Sequence, residues 1–349
     1  MRKVFLAFTA VIAIAACGGA TPTPAGPRVL TVMTHDSFAV SESIVEQFER
    51  EHEVTVQILA SGDAGTATNQ AILNKDAPLA DVFFGIDNTL LTRGLEAGIF
   101  EPYTAPALDG VPTAFKLDSQ NRALPVDYSD VCLNYDRAYF EKHDLELPAA
   151  LDDLTRPEYR GLLVVENPAA SSPGLAFLLA TVGRFGPDGF EAYWAALREN
   201  EVVVVENWET AYFTAFSGSS GRGPQPLVVS YASSPPAEVI FAEEPVTEAP
   251  TGSITASDTC FRQIEFVGIL NGTPNRDLAE AWVDLMLSRT FQEDVPLQMF
   301  VFPVRPDAQL PPEFVAYAQL AETPAFVAPA DIAAHREEWI EAWTQIMLR

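Results

Sequence analysis

The sequence contains few of the residues on which metal sites and most nucleophilic enzymes depend. Only three cysteines and four histidines occur among 349 residues, and the histidines are far apart in the chain. The motifs HExxH, CxxC, GxGxxG, GxxxxGKS/T and GxSxG are all missing. These absences argue against a zinc site, a nucleotide-binding loop and a serine hydrolase. We therefore expect no metal, no cofactor and no enzymatic activity.

Basic residues are also scarce. The chain has 21 Lys and Arg against 48 Asp and Glu, a formal net charge of -27, and it has no run of basic residues. Because such a surface repels nucleic acid, a DNA or RNA partner is excluded. The excess of negative charge either solvates an exported surface or favours a cationic ligand, and the composition is compatible with both.

An apolar run long enough to span a bilayer, which needs about 20 residues, is missing as well. The shorter run at residues 4–16 follows Arg2 and Lys3 and ends in Ile-Ala-Ala-Cys at Cys17, which resembles a bacterial lipobox. The Gly, Thr and Pro residues behind it are typical of an extended spacer. We predict a lipoprotein signal peptide at 1–16 and a lipidated Cys17 with a flexible tether at 17–27. The protein would then be exported to the periplasm or the outer face of the cytoplasmic membrane.

Two cysteines remain once Cys17 is assigned to lipidation. Cys132 and Cys260 can form a disulfide in an oxidising compartment, or they can remain two buried free thiols. Mass measurement with and without reductant distinguishes the two states.

The length of the chain and its 48% hydrophobic content exceed what one compact core usually holds, so two domains are expected. Strand-like runs alternate with amphipathic segments, as in a parallel sheet covered by helices. An extended segment then leads into a second α/β set, and another leads out of it. This order predicts two lobes with a cleft between them. Lobe 1 comprises 28–123 and 268–349, lobe 2 comprises 124–267, and hinge segments lie near 124–130 and 260–268.

Polar residues follow the predicted strands of lobe 1. His35 and Asp36 follow the first strand, Asp63 the second and Asp87 the third. In parallel α/β sheets, ligands bind outside the carboxyl ends of the strands, so these side chains are candidates for one shared site. The alternative is that each residue only caps the helix behind it.

Aromatic residues occupy similar positions in lobe 2. Trp208, between Asn207 and Glu209, follows one predicted strand, and Tyr231 ends another. An aromatic ring at such a loop can stack on a flat heterocycle, which contributes roughly 0.5–2 kcal/mol per face if the heterocycle is cationic. The alternative is packing in the core.

Several short runs in these regions resemble one known family. They are Thr-His-Asp-Ser-Phe from Thr34, Ala-Asp-Val from Ala80, Asp-Asn-Thr-Leu-Leu from Asp87, Ser-Pro-Gly-Leu from Ser172, Trp-Glu-Thr-Ala-Tyr from Trp208, Ser-Tyr-Ala-Ser-Ser-Pro from Ser230, Phe-Pro-Val from Phe302 and Ala-Ala-His-Arg-Glu-Glu-Trp from Ala333. Over almost the whole mature chain, the sequence resembles the substrate-binding proteins of bacterial thiamine ABC transporters, a branch of the type II periplasmic binding proteins.

The resemblance implies a two-lobed α/β fold in which each lobe is a mainly parallel sheet flanked by helices. Thiamine, thiamine phosphate or thiamine pyrophosphate would bind in the cleft. The implied partners are an ABC permease and its ATPase, with membrane attachment through the lipid anchor, and we expect a monomer.

The resemblance also implies ligand contacts from both lobes. Asp63 would accept a hydrogen bond from the exocyclic amine of the aminopyrimidine, and Trp208 or Tyr231 would face the cationic thiazolium. The candidate binding residues are His35, Asp36, Asp63, Asp87, Ser172, Trp208, Tyr231, Ser234 and Phe300.

This chain departs from the family pattern at several aromatic positions. His35 stands where the family often has Tyr, Ala237 stands where a Tyr is expected, and Phe300 stands where a Trp is expected. The departures imply a weaker or different aromatic cage around the ligand.

Other functions are compatible with the same residues. A ferric-ion or polyamine receptor would share the fold, although Tyr231 is not followed by the second Tyr expected of an iron site. A surface hydrolase that uses Asp63 and Asp87 as paired carboxylates is a more remote alternative.

Overall fold

The structure, a computed structural model, describes residues 28–219, 223–242 and 244–349. The predicted signal peptide and the tether with Cys17 lie outside these residues. Within them, none of the helices is both long enough and apolar enough to cross a membrane.

The first part of the described chain alternates strands with helices. Its elements are β1 (Arg28–Thr34), α1 (Glu42–His52), β2 (Val54–Ala60), α2 (Ala64–Leu73), β3 (Val82–Asp87), α3 (Leu91–Ala97), β4 (Phe100–Glu101) and two 3-10 helices, Pro106–Gly110 and Thr113–Phe115. Ile44 and Phe48 lie one turn apart on α1 and are both buried, and the Phe48 ring packs edge-on against Trp282 with centroids 5.1 Å apart. This apolar face packs α1 into a core that contains Leu30 and Val32 of β1 and Trp282.

The second part repeats the alternation. Its elements are β5 (Leu124–Asp136), α4 (Arg137–His143), the 3-10 helices Leu151–Thr155 and Pro157–Tyr159, β6 (Leu163–Glu166), α5 (Ser172–Phe185), α6 (Phe190–Glu199), β7 (Val203–Val205), α7 (Trp208–Thr210) with a π-helical continuation (Ala211–Ala215), β8 (Leu227–Tyr231), α8 (Pro235–Ile240) and β9 (Thr251–Ile254). The Ser171 hydroxyl caps α5, and the Asn207 side chain caps α7 by accepting from the Thr210 N–H. The two caps fix the first turns of α5 and α7 just after β6 and β7.

The last part of the chain returns through a long strand and ends in helices. Its elements are β10 (Phe261–Leu270), α9 (Arg276–Met286), α10 (Arg289–Gln298), β11 (Phe302–Pro303), α11 (Pro312–Tyr317) and α12 (Pro329–Met347).

The described strands form one mixed sheet in the order β2-β1-β3-β10-β5-β8-β6-β7, with β4, β9 and β11 paired alongside. The outer strands are parallel, β1 to β2 and β3 on one side and β6 to β7 and β8 on the other. The strands between them pair antiparallel, β3 with β10, β10 with β5 and β5 with β8. The predicted α/β fold is confirmed, and the sheets of the two lobes prove to be joined through β10 and β5.

The strands β5 and β10, called the hinge strands below, run from one lobe into the other. β5 pairs with β11 near its start and with β8 and β9 near its end. The predicted hinge segments, 124–130 and 260–268, fall on these two strands. Cys132 and Cys260 face each other across the pair and are joined by a disulfide, the hinge disulfide, with Cα atoms 4.3 Å apart.

Helix α12 belongs to 268–349, which was predicted to form lobe 1 together with 28–123, and it packs against α6. The indole of Trp343 on α12 packs edge-on against Trp194 of α6, with ring centroids 5.6 Å apart, and Arg198 donates to the carbonyl of Ile346 at 2.6 Å. Helix α12 therefore contacts both predicted lobes, since Trp343 packs on α6 and Arg336 donates to the carbonyl of Thr89 at 3.2 Å.

Candidate functional site

A cavity of about 500 Å³ lies between the two lobes. Lobe 1 contributes the loops after β1 and β2 and the residues just before β11, whereas lobe 2 contributes the first turns of α5 and α7, the end of β8, and α8. The hinge strand β10 contributes Glu265. The cavity thus lies at the carboxyl ends of the parallel strands of both lobes, where ligands of α/β proteins bind.

The charges that line the cavity are of one sign. Its acidic side chains are Asp36, Asp63, Glu209, Glu238 and Glu265, and the described lining residues include neither Lys nor Arg. Burial raises the pKa of Glu238. A cationic solute would find countercharges on several sides of this cavity.

Asp63 connects the two lobes through its carboxylate. Oδ1 accepts from the N–H of Ala64 at 2.7 Å, which caps α2, and from the N–H of Ser172 on α5 at 2.9 Å. Oδ2 accepts from the N–H of Trp208 at 3.4 Å. Since α5 and α7 begin with these residues, a lobe 1 carboxylate satisfies the N-terminal N–H groups of two lobe 2 helices. Burial raises the pKa of Asp63, and the hydrogen bond from Ser172 opposes that shift.

Other contacts also join the lobes across the cleft. The Ser37 hydroxyl donates to Oε1 of Glu209 at 2.8 Å. The rings of Phe241 and Phe300 meet edge-on with centroids 5.7 Å apart. These contacts, with those of Asp63, show that the structure is in a closed arrangement.

Aromatic side chains form the lobe 2 wall of the cavity. The indole of Trp208 stacks on Tyr212 at 5.1 Å between centroids and meets Tyr231 at 6.1 Å with a 60° interplanar angle. Trp208 Nε1 donates to the Ser230 hydroxyl at 2.9 Å, and that hydroxyl lies 3.1 Å from the Ser234 hydroxyl. Because these contacts fix the indole, it can present a rigid face to a planar ligand.

Beneath this wall lies a set of buried ionisable groups. Nε2 of His35 lies 3.4 Å from Oε1 of Glu265, and burial lowers the pKa of His35. Burial raises the pKa of Glu265 to about 8. It also raises the pKa of Asp127 well above its ordinary value, as does the charge of Glu265 to a smaller extent. Burial raises the pKa of Tyr231 as well.

Most of the residues predicted from the sequence to bind a ligand line this cavity. They are His35, Asp36, Asp63, Ser172, Trp208, Tyr231, Ser234 and Phe300. The exception is Asp87, which is fully buried outside the lining. Its carboxylate accepts from the Thr89 N–H and hydroxyl at 2.8 and 2.6 Å, and from the side chains of Ser172 and Gln263. Asp87 therefore holds the loop after β3 in place and does not line the cavity.

The cavity residues that were not predicted include three with titratable side chains, Tyr212, Glu238 and Glu265. Tyr212 follows Trp208 by one helical turn, and its position behind the candidate stacking residue was a usable signal. Glu265 interrupts an apolar run on β10, and a charge in such a strand is also a recognisable signal. Glu238 gives no comparable signal, since an acidic residue in the first turn of α8 is an ordinary helix feature.

The His, Cys, Asp and Glu side chains of the described residues do not form a group of three or more that could hold a metal ion. The chemistry of the cavity is that of reversible contacts, with carboxylates as acceptors and aromatic faces as stacking surfaces.

Two lobes that share hinge strands and enclose a cavity define the class of bacterial solute-binding proteins. The family model of bacterial extracellular solute-binding proteins matches residues 77–324, and the chain belongs to this family. It is therefore a binding protein and not an enzyme.

The relatives agree with the family resemblance seen in the sequence. The chain is 29% identical to the thiamine-binding periplasmic protein of Salmonella typhimurium over 335 residues, covering 95% of this chain and 96% of the relative. It is 28% identical to the thiamine-binding periplasmic protein of Escherichia coli over 326 residues, covering 92% and 94% of the two chains. A solved periplasmic thiamin binding protein superposes with a TM-score of 0.80 at 25% identity, covering 93% of this chain and 97% of that one. The predicted family resemblance is thereby confirmed.

Proposed function

We propose that this protein captures thiamine in the cleft between its lobes and delivers it to an ABC permease and its ATPase. The observation that carries the proposal is the cavity, in which stacked aromatic rings stand opposite carboxylates and no described lining residue is basic. Thiamine combines two flat heterocycles with a fixed positive charge, so it matches both halves of this lining. The thiamine-binding relatives support the same ligand.

Different residues of the cavity would contact different parts of thiamine. Trp208 and Tyr231 offer faces to the rings. Asp63 can accept a further hydrogen bond from the exocyclic amine, because its two oxygens have about four lone-pair sites and three are used by backbone N–H groups. Closure of the lobes buries the ligand, and release requires the permease to favour the open arrangement.

A thermal-shift screen tests the ligand directly. Thiamine, its monophosphate and its pyrophosphate would be compared with putrescine, spermidine and ferric citrate at equal concentrations. A ligand at 100 times its dissociation constant stabilises a protein by about 2.7 kcal/mol, so thiamine should raise the melting temperature clearly. Stabilisation by a polyamine or by iron, without any by thiamine, would contradict the proposal.

We further propose that the chain is held at the membrane through a lipid on Cys17. An uptake receptor must stay close to its permease, and residues 17–27 supply a lipid site followed by a spacer. The variant Cys17→Ser should appear in the soluble fraction and bind thiamine with unchanged affinity. Retention of this variant on the membrane would contradict the anchor.

A further inference from the structure

Three carboxylates lie side by side across the middle of the sheet. Glu265 on β10 is in register with Asp87 on β3 and with Asp127 on β5. All three side chains are buried. Like charges placed directly opposite each other on neighbouring strands are destabilising, so this carboxylate row needs a compensating interaction.

The members of the carboxylate row differ in how their oxygens are satisfied. Asp87 is saturated by hydrogen bonds from Thr89, Ser172 and Gln263. In contrast, neither oxygen of Asp127 has a hydrogen-bond partner among the described residues.

Glu265 lies at the floor of the cavity, and no Lys or Arg among the described residues pairs with it. The titratable groups that face it are His35, Asp63, Asp87, Asp127 and Tyr231. Arg262 on the same strand pairs instead with Asp130 and lies over the ring of Tyr128. The pair Asp127 and Glu265 therefore cannot hold two negative charges at neutral pH without a cation nearby.

We propose that Glu265 is the counter-ion for the fixed positive charge of the ligand, and that binding of this cation expels the proton that Glu265 carries in the ligand-free protein. The O–H bond of the carboxyl group breaks, the electron pair stays on the carboxylate beside the cation, and the proton passes to solvent. The inference rests on the proposed function, because thiamine supplies the fixed positive charge.

The structure explains why Glu265 is the residue that loses a proton when the ligand binds. Of the carboxylate row, only Glu265 lines the cavity and can meet a ligand. Its pKa of about 8 keeps it largely protonated at pH 7 in the ligand-free protein. A permanent cation at its side favours the ionised form and so lowers that pKa. Binding and proton release are then two sides of one equilibrium.

The test is calorimetric titration of thiamine at pH 7 in phosphate and in Tris, whose ionisation enthalpies differ widely. We expect the apparent binding enthalpy to differ between the buffers by the amount that release of up to one proton predicts. Thiamine affinity should also rise about tenfold per pH unit between pH 6.5 and 7.5 and level off by pH 8.5.

Three variants separate this role from a structural one. Glu265→Gln should bind thiamine at least tenfold more weakly and lose the buffer dependence. Asp127→Asn should retain binding but release fewer protons, because Glu265 then ionises more readily. Glu96→Gln removes one charge from an exposed position on α3, and it should behave like the wild-type protein.

Three results would refute different parts of the reasoning. Thiamine binding without buffer dependence, or a Glu265→Gln variant with wild-type affinity and proton release, would overturn the role of Glu265 alone. Failure of the wild-type protein to bind thiamine would overturn the proposed function and this inference together.

Discussion

Replacing Asp63 by Asn is the substitution that most directly probes closure of the cleft. The carboxylate accepts two hydrogen bonds across the cleft, from the N–H of Ser172 at 2.9 Å and from the N–H of Trp208 at 3.4 Å. An Asn side chain still caps α2, since Asn is as good a cap as Asp. Lobe 1 should therefore fold normally, whereas the closed arrangement and the proposed contact with the exocyclic amine should both be weakened.

The size of the effect follows from the two hydrogen bonds. Loss of the charge weakens the bond from Ser172 from about 2 to about 1 kcal/mol, which are typical contributions with a charged and a neutral acceptor. The Asn amide cannot accept from Trp208, and a long bond of this kind contributes about 1 kcal/mol. Closure therefore loses about 2 kcal/mol, which alone lowers thiamine affinity about 30-fold, and loss of the contact with the exocyclic amine adds to this.

Calorimetric titration of thiamine measures this change, and small-angle scattering of the ligand-bound variant reports how far the lobes close. The matched control is Asp76→Asn, the same replacement at an exposed position after α2, which should bind like the wild-type protein. An Asp63→Asn variant whose affinity stays within twofold of the wild type would refute the role of Asp63 in closure.

Four further changes have distinct expected outcomes. Trp208→Ala should weaken thiamine binding about 2- to 30-fold by removing a stacking face, and an unchanged dissociation constant would exclude ligand contact. Gly65→Ala should lower affinity because its Cβ would lie 2.5 Å from the Ala170 carbonyl oxygen across the cleft, whereas the control Gly110→Ala, with its nearest neighbour at 3.8 Å, should not. Burial raises the pKa of Glu265 from 4.5 to about 8. Between these two pH values, Glu265 keeps its proton in the folded protein and loses it in the unfolded chain. The melting temperature should therefore fall from pH 5 to pH 8, and it should fall less in the Glu265→Gln variant. Reduction of the hinge disulfide, which closes a long loop, should lower the free energy of unfolding by about 2–5 kcal/mol in denaturant titrations, and an unchanged midpoint would show that it does not stabilise the fold.

The sequence predicted the site best at the ends of strands, where the type of residue and its place in the fold both indicate ligand binding. Polar residues after β1 and β2 predicted the lobe 1 side of the cavity, and Trp208 and Tyr231 predicted the aromatic side. These positions are readable because every parallel strand in such a fold directs its carboxyl end to the same edge. Asp63 fits both the helix-cap and the ligand-site interpretations of a polar strand end. It caps α2, and it also accepts a hydrogen bond from Ser172 of the opposite lobe beside the cavity.

The remaining features depend on contacts between distant segments. Asp87, like Asp63, is an acidic residue at the end of a predicted strand. In the folded protein its carboxylate is buried and accepts hydrogen bonds from the side chains of Gln263 and Ser172, which are distant in sequence. The row that places Glu265 between two aspartates arises from strand register, which the order of residues along each strand does not reveal. The docking of α12 on lobe 2 likewise depends on a tryptophan pair far apart in sequence.

The most direct test of thiamine capture is an equilibrium titration of thiamine into the purified protein at neutral pH. We predict saturable binding of one thiamine per chain, lost or weakened in the Asp63→Asn and Trp208→Ala variants and retained in Asp76→Asn. A folded wild-type protein that shows no saturable binding of thiamine up to millimolar concentration would contradict the proposal.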